Sequence, residues 1–155
     1  MTLPLSGAIS FNNIADELVV SHTNFSISGA AARALAGVPT GPIAMADFYG
    51  KGSLSATVSP DVAAGTDPTN THSTVTSNTV TAAGHGGSGS YTYSWARKSG
   101  DAGITATSPT GAVSAFSCTT MASNSERAAV FTCTVSDGTS TAPVDVSVDL
   151  TRGSP

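Results

Sequence analysis

The sequence predicts a mainly β chain: an antiparallel β-sandwich over residues 53–152, preceded by a small N-terminal segment, 1–51, with about three short helices, and followed by a tail, 153–155. Three observations carry this expectation. The chain holds 23 Ser, 22 Thr, 16 Gly and 8 Pro, with only 6% aromatic and 10% charged residues, a mixture that suits short strands joined by small-residue turns. From about Ser53 the apolar residues recur at every second position, the period of a strand with one buried face. Before that point, Ala-rich runs are bracketed by the Ser, Gly and Pro signals of helix starts and stops.

The N-terminal segment contains three similar units. Ile9-Ser10-Phe11 leads into NNIADEL, Ile27-Ser28-Gly29 into AAARALAG, and Ile43-Ala44-Met45 into ADFYG. Ser10 and Ser28 are the expected N-caps, since a serine oxygen accepts a free N–H of the first turn. Gly37 is the expected C-cap of the second helix, and Pro39 and Pro42 prevent its continuation. Gly50 ends the third, and Lys51-Gly52 reads as a hinge into the first strand. Asp16 and Glu17 lie too late in the first helix to favour its dipole and are expected on its solvent face. Helices of about two turns are unstable alone in water, and so short a segment makes a meagre core. The apolar set Leu3, Leu5, Ile9, Phe11, Ile14, Leu18, Phe25, Ile27, Leu35, Ile43, Met45, Phe48 and Tyr49 is therefore expected to need another surface.

The strands follow in order. Alternation runs over Leu54–Val58, Val75–Thr79, Tyr91–Trp95, Ala129–Val135 and Val144–Leu150, and Phe116-Ser-Cys118 adds a further strand. Turn signals separate them: Gly84–Gly89, Ser99–Asp101, Ser108–Gly111, Ser123–Ser125 and Asp137-Gly138.

Charge and length exclude several functions. A net charge of -4 over 155 residues leaves nothing basic enough to grip a phosphate backbone, so no nucleic-acid partner is expected. No apolar run approaches about 20 residues, so no membrane helix is expected. Met1-Thr2-Leu3-Pro4 lacks the charged start of a secretory signal, which points to synthesis in a cytoplasm. His22, His72 and His85 are scattered, without metal-ligand spacing, and Asp61 and Asp67 match no calcium loop. Asp145 and Asp149 share the face of an edge-type strand and read as solvated. Gly84–Gly89 precedes a strand, whereas a phosphate loop precedes a helix. No Gly-x-Ser-x-Gly elbow occurs. No catalytic residue, metal or cofactor is expected.

The stretch GGSGSYTYSWARKSGD, Gly86 to Asp101, resembles the third-strand region of bacterial and phage immunoglobulin-like modules, and AAVFTCTVSDG, Ala128 to Gly138, resembles their strand F. The resemblance covers about residues 53–152 and implies an immunoglobulin-like sandwich. Tyr91, Tyr93 and Trp95 then share one face with Trp95 deepest, and Ala129, Phe131, Cys133 and Val135 point inward. The strand-B cysteine of antibody domains is absent; Val75 or Val80 stands in that region. Cys118 and Cys133 lie at matching distances from a loop centred near Asn124–Arg127, so they are either bonded to one another or separate thiols, the latter favoured by cytoplasmic synthesis.

Residues 3–51 resemble a recurring N-terminal module of tailed-bacteriophage structural proteins. Ser10, Ile14, Glu17, Leu18, Ser28, Arg33, Leu35, Gly37, Ile43, Met45 and the run Asp47–Lys51 fall on its pattern, while Ala44 and Ala46 replace the more usual serines. The resemblance implies a virion part. The N-terminal segment would dock on tail, baseplate, neck or capsid proteins and on copies of itself, through Ile9, Phe11, Ile14, Leu18, Phe25, Ile27, Leu35, Ile43, Met45, Phe48 and Tyr49. The immunoglobulin-like domain would project outward, and display in many copies turns weak contacts into avidity. The alternative is a host-surface adhesin for glycans, acting through loops 60–73, 84–90 and 97–103, which hold His72, His85, Arg97 and Lys98.

Overall fold

The computed structural model describes residues 3–4, 7–69, 71–87 and 89–154. Leu5 of the apolar set, Asn70 of the loop 60–73, Ser88 of the predicted 84–89 turn, and Pro155 lie outside the described residues. The protein is mainly β, with antiparallel strand pairs dominating, and the chain divides into two compact units. The first joins residues 1–55 with Gly84–Tyr91 and Ser136–Thr141, and the second comprises Ala56–Ala83, Thr92–Val135 and Ala142–Pro155.

The first unit has two α-helices where three were expected. Helix α1, Phe11–Glu17, starts at Ser10, whose Oγ accepts the Asn13 N–H at 3.2 Å while Asn13 Oδ1 accepts the Ser10 N–H at 2.8 Å, a reciprocal cap that satisfies two otherwise orphaned donors. Helix α2, Ala30–Ala36, has Gly29 as its N-cap and no side-chain cap, so Ser28 does not serve in that role. The third expected helix is a single 3-10 turn, Met45–Phe48. Ala44, at its N-cap, has no oxygen to offer; Asp47 Oδ2 reaches back to the Ala44 N–H at 2.8 Å instead. Gly50, at φ 68°, turns the chain away directly afterwards. Leu3, Ile14, Ala32, Leu35, Ala36 and Phe48 form a small buried core against which Ile9, Leu18, Phe25, Ile27, Ile43 and Met45 pack.

Among the described residues the β region has ten strands. A three-stranded sheet has the order β1 (Ser55–Ser59), β4 (Val80–His85), β7 (Val113–Ser114). A four-stranded sheet has the order β2 (Val62–Asp67), β10 (Thr141–Arg152), β9 (Ser125–Ser136), β5 (Thr92–Gly100). A second three-stranded sheet has the order β3 (Val75–Thr76), β8 (Phe116–Cys118), β6 (Ile104–Ala106). β2 departs from the antiparallel expectation: it runs parallel to β10, with Val62 opposite Ser147 and Asp67 opposite Arg152. β10 is consequently an interior strand, which corrects the edge-type reading of the Asp145 and Asp149 strand.

Alternation in β9 does what the sequence predicts. Ala129, Phe131, Cys133 and Val135 are all buried, as is Trp95 of β5, while Tyr93 is half-buried. Phe116 of β8 meets Trp95 edge-on at 5.6 Å between ring centroids and Phe131 at 4.6 Å. One aromatic ring thus joins two sheets face to face, at the separations aromatic pairs prefer. Trp95 also donates its Nε1–H to the Gly111 carbonyl at 2.8 Å, so its polar end is satisfied. Each outer strand of the four-stranded sheet also makes hydrogen bonds beyond that sheet at one residue. The Ala64 N–H and carbonyl of β2 bond Asn78, and the Trp95 N–H of β5 bonds the Pro109 carbonyl at 2.8 Å.

Cys118 and Cys133 are both buried and free. The symmetric-loop argument fails because β8 and β9 are not a hairpin pair. Cys118 sits opposite Val75 and Ile104 in its own sheet, whereas β9 lies between β10 and β5.

Candidate functional site

The N-terminal unit holds the expected assembly residues, and it uses most of them on itself. Ile14, Leu35 and Phe48 are buried in its own core and present nothing to a partner. Ile9, Leu18, Phe25, Ile27, Ile43 and Met45 are half-buried against that core. Only Phe11, 56% exposed, and Tyr49, 38% exposed, stand out, and Tyr49 gives its hydroxyl to the Gly7 carbonyl at 2.6 Å. The unit therefore closes its small core internally, by packing three short elements around Phe48 and Ile14.

Two apolar side chains that the Ile-led pattern does not single out are more open. Val19 is 90% exposed and Val20 40% exposed, immediately after α1. Their signal in the sequence is a Val-Val pair where a helix stops with no glycine to stop it.

Polar side chains lock the unit. Arg33, in the last turn of α2, donates from Nε to the Ser28 carbonyl at 3.0 Å, and from its two terminal nitrogens to the Val38 and Gly41 carbonyls at 3.2 and 3.0 Å. A planar fork of donors can hold carbonyls from both sides of α2 at once, Ser28 before it and Val38 and Gly41 after it. Glu17 is buried, contrary to its expected place on the solvent face, and its Oε1 accepts the Ser53 N–H. Burial is the largest influence and pushes its carboxyl up, but several favourable contacts, the Ser53 N–H foremost, together hold the group below the usual 4.5.

The segment read as a hinge is tied down on all sides. The Lys51 carbonyl accepts the Leu3 N–H at 2.8 Å, the Lys51 N–H bonds the Phe48 carbonyl at 3.1 Å, and the Gly52 carbonyl accepts the Gly87 N–H at 2.6 Å. The glycine-rich run is therefore more than a turn. A Cβ on Gly86 would stand 2.6 Å from the Ser53 oxygen, so the backbone approach needs glycine there. Asp137 rounds off the unit, its Oδ1 accepting the Thr139 and Ser140 N–H groups at 2.9 and 2.7 Å.

Three shallow grooves flank α2, one of about 500 Å³ lined by Ala30, Arg33, Ala34, Gly37, Pro39 and Thr139. A second, of about 340 Å³, is lined by Leu18, Leu35 and Leu54 with Gly87, Asp137 and Ser140. The third, about 430 Å³, lies between the end of α1 and the start of α2 and is lined by Leu18, Val20, Phe25, Ala30 and Ala31, with no charged side chain in its wall. Asp16 pairs with the neighbouring His22 at 2.6 Å.

In the β unit, the loop residues put forward for ligand contact are engaged within it. Arg97 donates to the Ala102 carbonyl at 2.9 Å, Lys98 pairs with Asp145 at 2.5 Å, and the His72 N–H bonds Asp67 at 2.8 Å. Asp145 also accepts the Thr132 hydroxyl at 2.6 Å. Among the described residues, no three His, Cys, Asp or Glu side chains gather as a metal site, and no helix is long and apolar enough to cross a membrane.

No family model matches the chain, and no curated protein does. Among solved structures it is similar to a nucleoside hydrolase-related protein from Saccharophagus degradans associated with carbohydrate metabolism, at 14% identity and a TM-score of 0.41, covering 64% of this chain and 25% of that one. It is also similar to the PKD domain of human KIAA0319, at 18% identity and a TM-score of 0.40, covering 66% of this chain and 83% of that one. The chain thus spans a quarter of the length of the first. At these values neither likeness bears on ligand or activity.

What the arrangement offers is contact surface. The groove between the end of α1 and the start of α2 has small, uncharged and mostly apolar walls, suited to burying area against another protein surface.

Proposed function

We propose that the chain is a minor structural part of a tailed-phage particle, with residues 1–51 as its assembly segment and an immunoglobulin-like β-sandwich displayed outward. The segment would attach to tail, baseplate, neck or capsid proteins and to copies of itself, and the site of action would be the virion. The observation that carries the reading is that residues falling on the phage-module pattern are the ones that hold the N-terminal unit together. Ser10 caps α1, Ile14, Leu35 and Phe48 fill the core, Arg33 clamps three carbonyls, Gly37 takes the left-handed position and Glu17 grips Ser53. The pattern therefore encodes a folded part, which supports a module and counts against a linker. Its exposed apolar side chains, Phe11, Val19, Val20 and Tyr49, are what it has left for partners.

The test is incorporation of the full chain into purified particles, read by quantitative mass spectrometry. Phe11→Asp is the informative variant. Phe11 is the first residue of α1, where an acid favours the helix dipole, so the unit should stay folded while losing an apolar contact. Reduced incorporation of the folded variant supports the reading; absence of the wild-type chain from particles removes it.

A further inference from the structure

Two loops that the sequence assigns to the sandwich belong to the first unit instead: Gly84–Tyr91 and Ser136–Thr141. The glycine-rich loop is fixed from its far end by Tyr91. A Cβ on Gly84 would stand 2.7 Å from two atoms of the Tyr91 ring, so that ring rests on bare backbone, and the Tyr91 hydroxyl donates to the Gly86 carbonyl at 2.6 Å. The loop then meets the residues that lead out of the N-terminal segment. The Gly87 N–H donates to the Gly52 carbonyl at 2.6 Å, and a Cβ on Gly86 would fall 2.6 Å from the Ser53 oxygen and 2.8 Å from the Gly52 oxygen.

The second loop closes on the first. A Cβ on Gly87 would run into the Asp137 carboxylate. Asp137 is itself held in place: its Oδ1 accepts the Thr139 and Ser140 N–H groups, and its own N–H bonds the Ser140 carbonyl at 3.2 Å. From the other side, Ser53 is gripped by Glu17 at the end of α1. A continuous run of contacts therefore joins α1, through Glu17 and Ser53, to Gly86, Gly87 and Asp137. The helices need such support. Each has seven residues, too few to be stable alone. Of the six buried residues in their shared core, Ala32 and Ala36 bring little area.

We infer that the first unit is one cooperative fold made of three separate chain segments, with the glycine-rich loop as its clasp. Residues 1–55 hold their helices only while Gly86 and Gly87 lie against Gly52, Ser53 and Asp137. This folding claim stands apart from the virion reading. What rests on that reading is its consequence: attachment through residues 1–51 then depends on a loop well beyond them in the sequence.

The experiment is amide exchange of the full chain, with wild type beside Gly86→Ala and Gly89→Ala. Both positions are left-handed, at φ 75° and 85°, so the two alanines bring similar backbone strain to the same loop. They differ in what the new Cβ meets: the Gly52 and Ser53 carbonyls at position 86, and nothing within 4 Å at position 89. Gly86→Ala should speed exchange of the Leu18 and Arg33 amides, which close helical turns, by about tenfold or more. Exchange across Phe131–Val135 of β9 should match wild type, and Gly89→Ala should leave Leu18 and Arg33 nearly unmoved. Tyr91→Phe adds no atom and removes only the bond to Gly86, so it should give a smaller change at the same two amides. Unchanged helix exchange in Gly86→Ala, equal loosening by Gly89→Ala, or loosening that spreads evenly through β9 overturns the clasp. Wild-type helix exchange in Gly86→Ala, from a chain that still enters particles, would remove the clasp and leave the attachment reading standing. The expected exchange pattern in a chain absent from particles would do the reverse.

Discussion

Glu17 and Ser53, thirty-six residues apart, are joined through the buried carboxylate of the first and the backbone N–H of the second. The Ser53 hydroxyl also reaches the Glu17 carbonyl at 3.3 Å. The end of α1 therefore holds the segment that leads into β1. Glu17→Ala removes a hydrogen bond from the Ser53 N–H to a buried carboxylate, a loss of about 1.5–3 kcal/mol. Chemical unfolding, or exchange of the Ser53 amide, checks it; unchanged protection at Ser53 would refute the role.

The same contact gives a pH dependence of definite sign. Glu17 titrates below its usual 4.5 in the folded chain: burial pushes it up most, yet the Ser53 hydrogen bond and the smaller favourable contacts together bring it down. A depressed folded value means that the stabilisation is present above the unfolded value and fades as pH falls through the folded one. The Glu17 contribution should therefore be fully present and independent of pH near pH 7, and the N-terminal unit should loosen below about pH 4.5. Glu17→Gln should flatten that acid-side loss in a stability–pH profile.

Arg33 is predicted to be irreplaceable by lysine. An ammonium can donate three bonds from one point, but it cannot spread them over the Ser28, Val38 and Gly41 carbonyls as a guanidinium does. Arg33→Lys should lose about 1–3 kcal/mol from the N-terminal unit and increase amide exchange across residues 37–41. Wild-type stability with lysine would mean that the three carbonyls are equally well solvated.

The cysteines should behave as inert hydrophobes. Both are buried, and burial pushes the Cys133 thiol up despite a partly compensating hydrogen bond from the Ser94 backbone. The thiolate is the reactive form, so native protein should resist alkylation and take up two labels only in denaturant. Its mobility should be the same with and without reductant. Labelling of the native protein at neutral pH would contradict this.

How much of this was readable in advance follows the range of the interactions involved. The inward face of β9 and the depth of Trp95 come from a period of two, which one strand displays alone. Ser10 and Gly37 come from local backbone chemistry and stood where expected. The rest depended on partners distant in sequence. Glu17 looks like a solvent residue until Ser53 returns to it. The glycines at 86 and 87 look like a turn until Gly52 packs beside them. Cys118 and Cys133 look bonded only if β8 and β9 are taken as neighbours. The parallel pairing of β2 with β10 has no local signal, since parallel and antiparallel strands share the same alternation. Among candidate contact residues, Phe11 and Tyr49 were visible as apolar side chains. Val19 became informative only once its exposure was known.

Phe116 gives the sharpest test of the β unit, because one ring joins two sheets. It belongs to β8, while Trp95 and Phe131, its two aromatic neighbours, belong to the four-stranded sheet. Phe116→Ala removes both ring contacts and leaves a cavity at a fully buried position, so it should cost about 3–5 kcal/mol. Phe116→Leu keeps most of the volume and loses the aromatic geometry, and should cost less than about 2 kcal/mol. Trp95 is the chain's one tryptophan and touches the substituted ring, so urea unfolding followed by its fluorescence reads this unit directly. If the two variants cost the same, the ring's volume is not what holds the sheets together, and the edge-on contact with Trp95 would have to carry the stability instead.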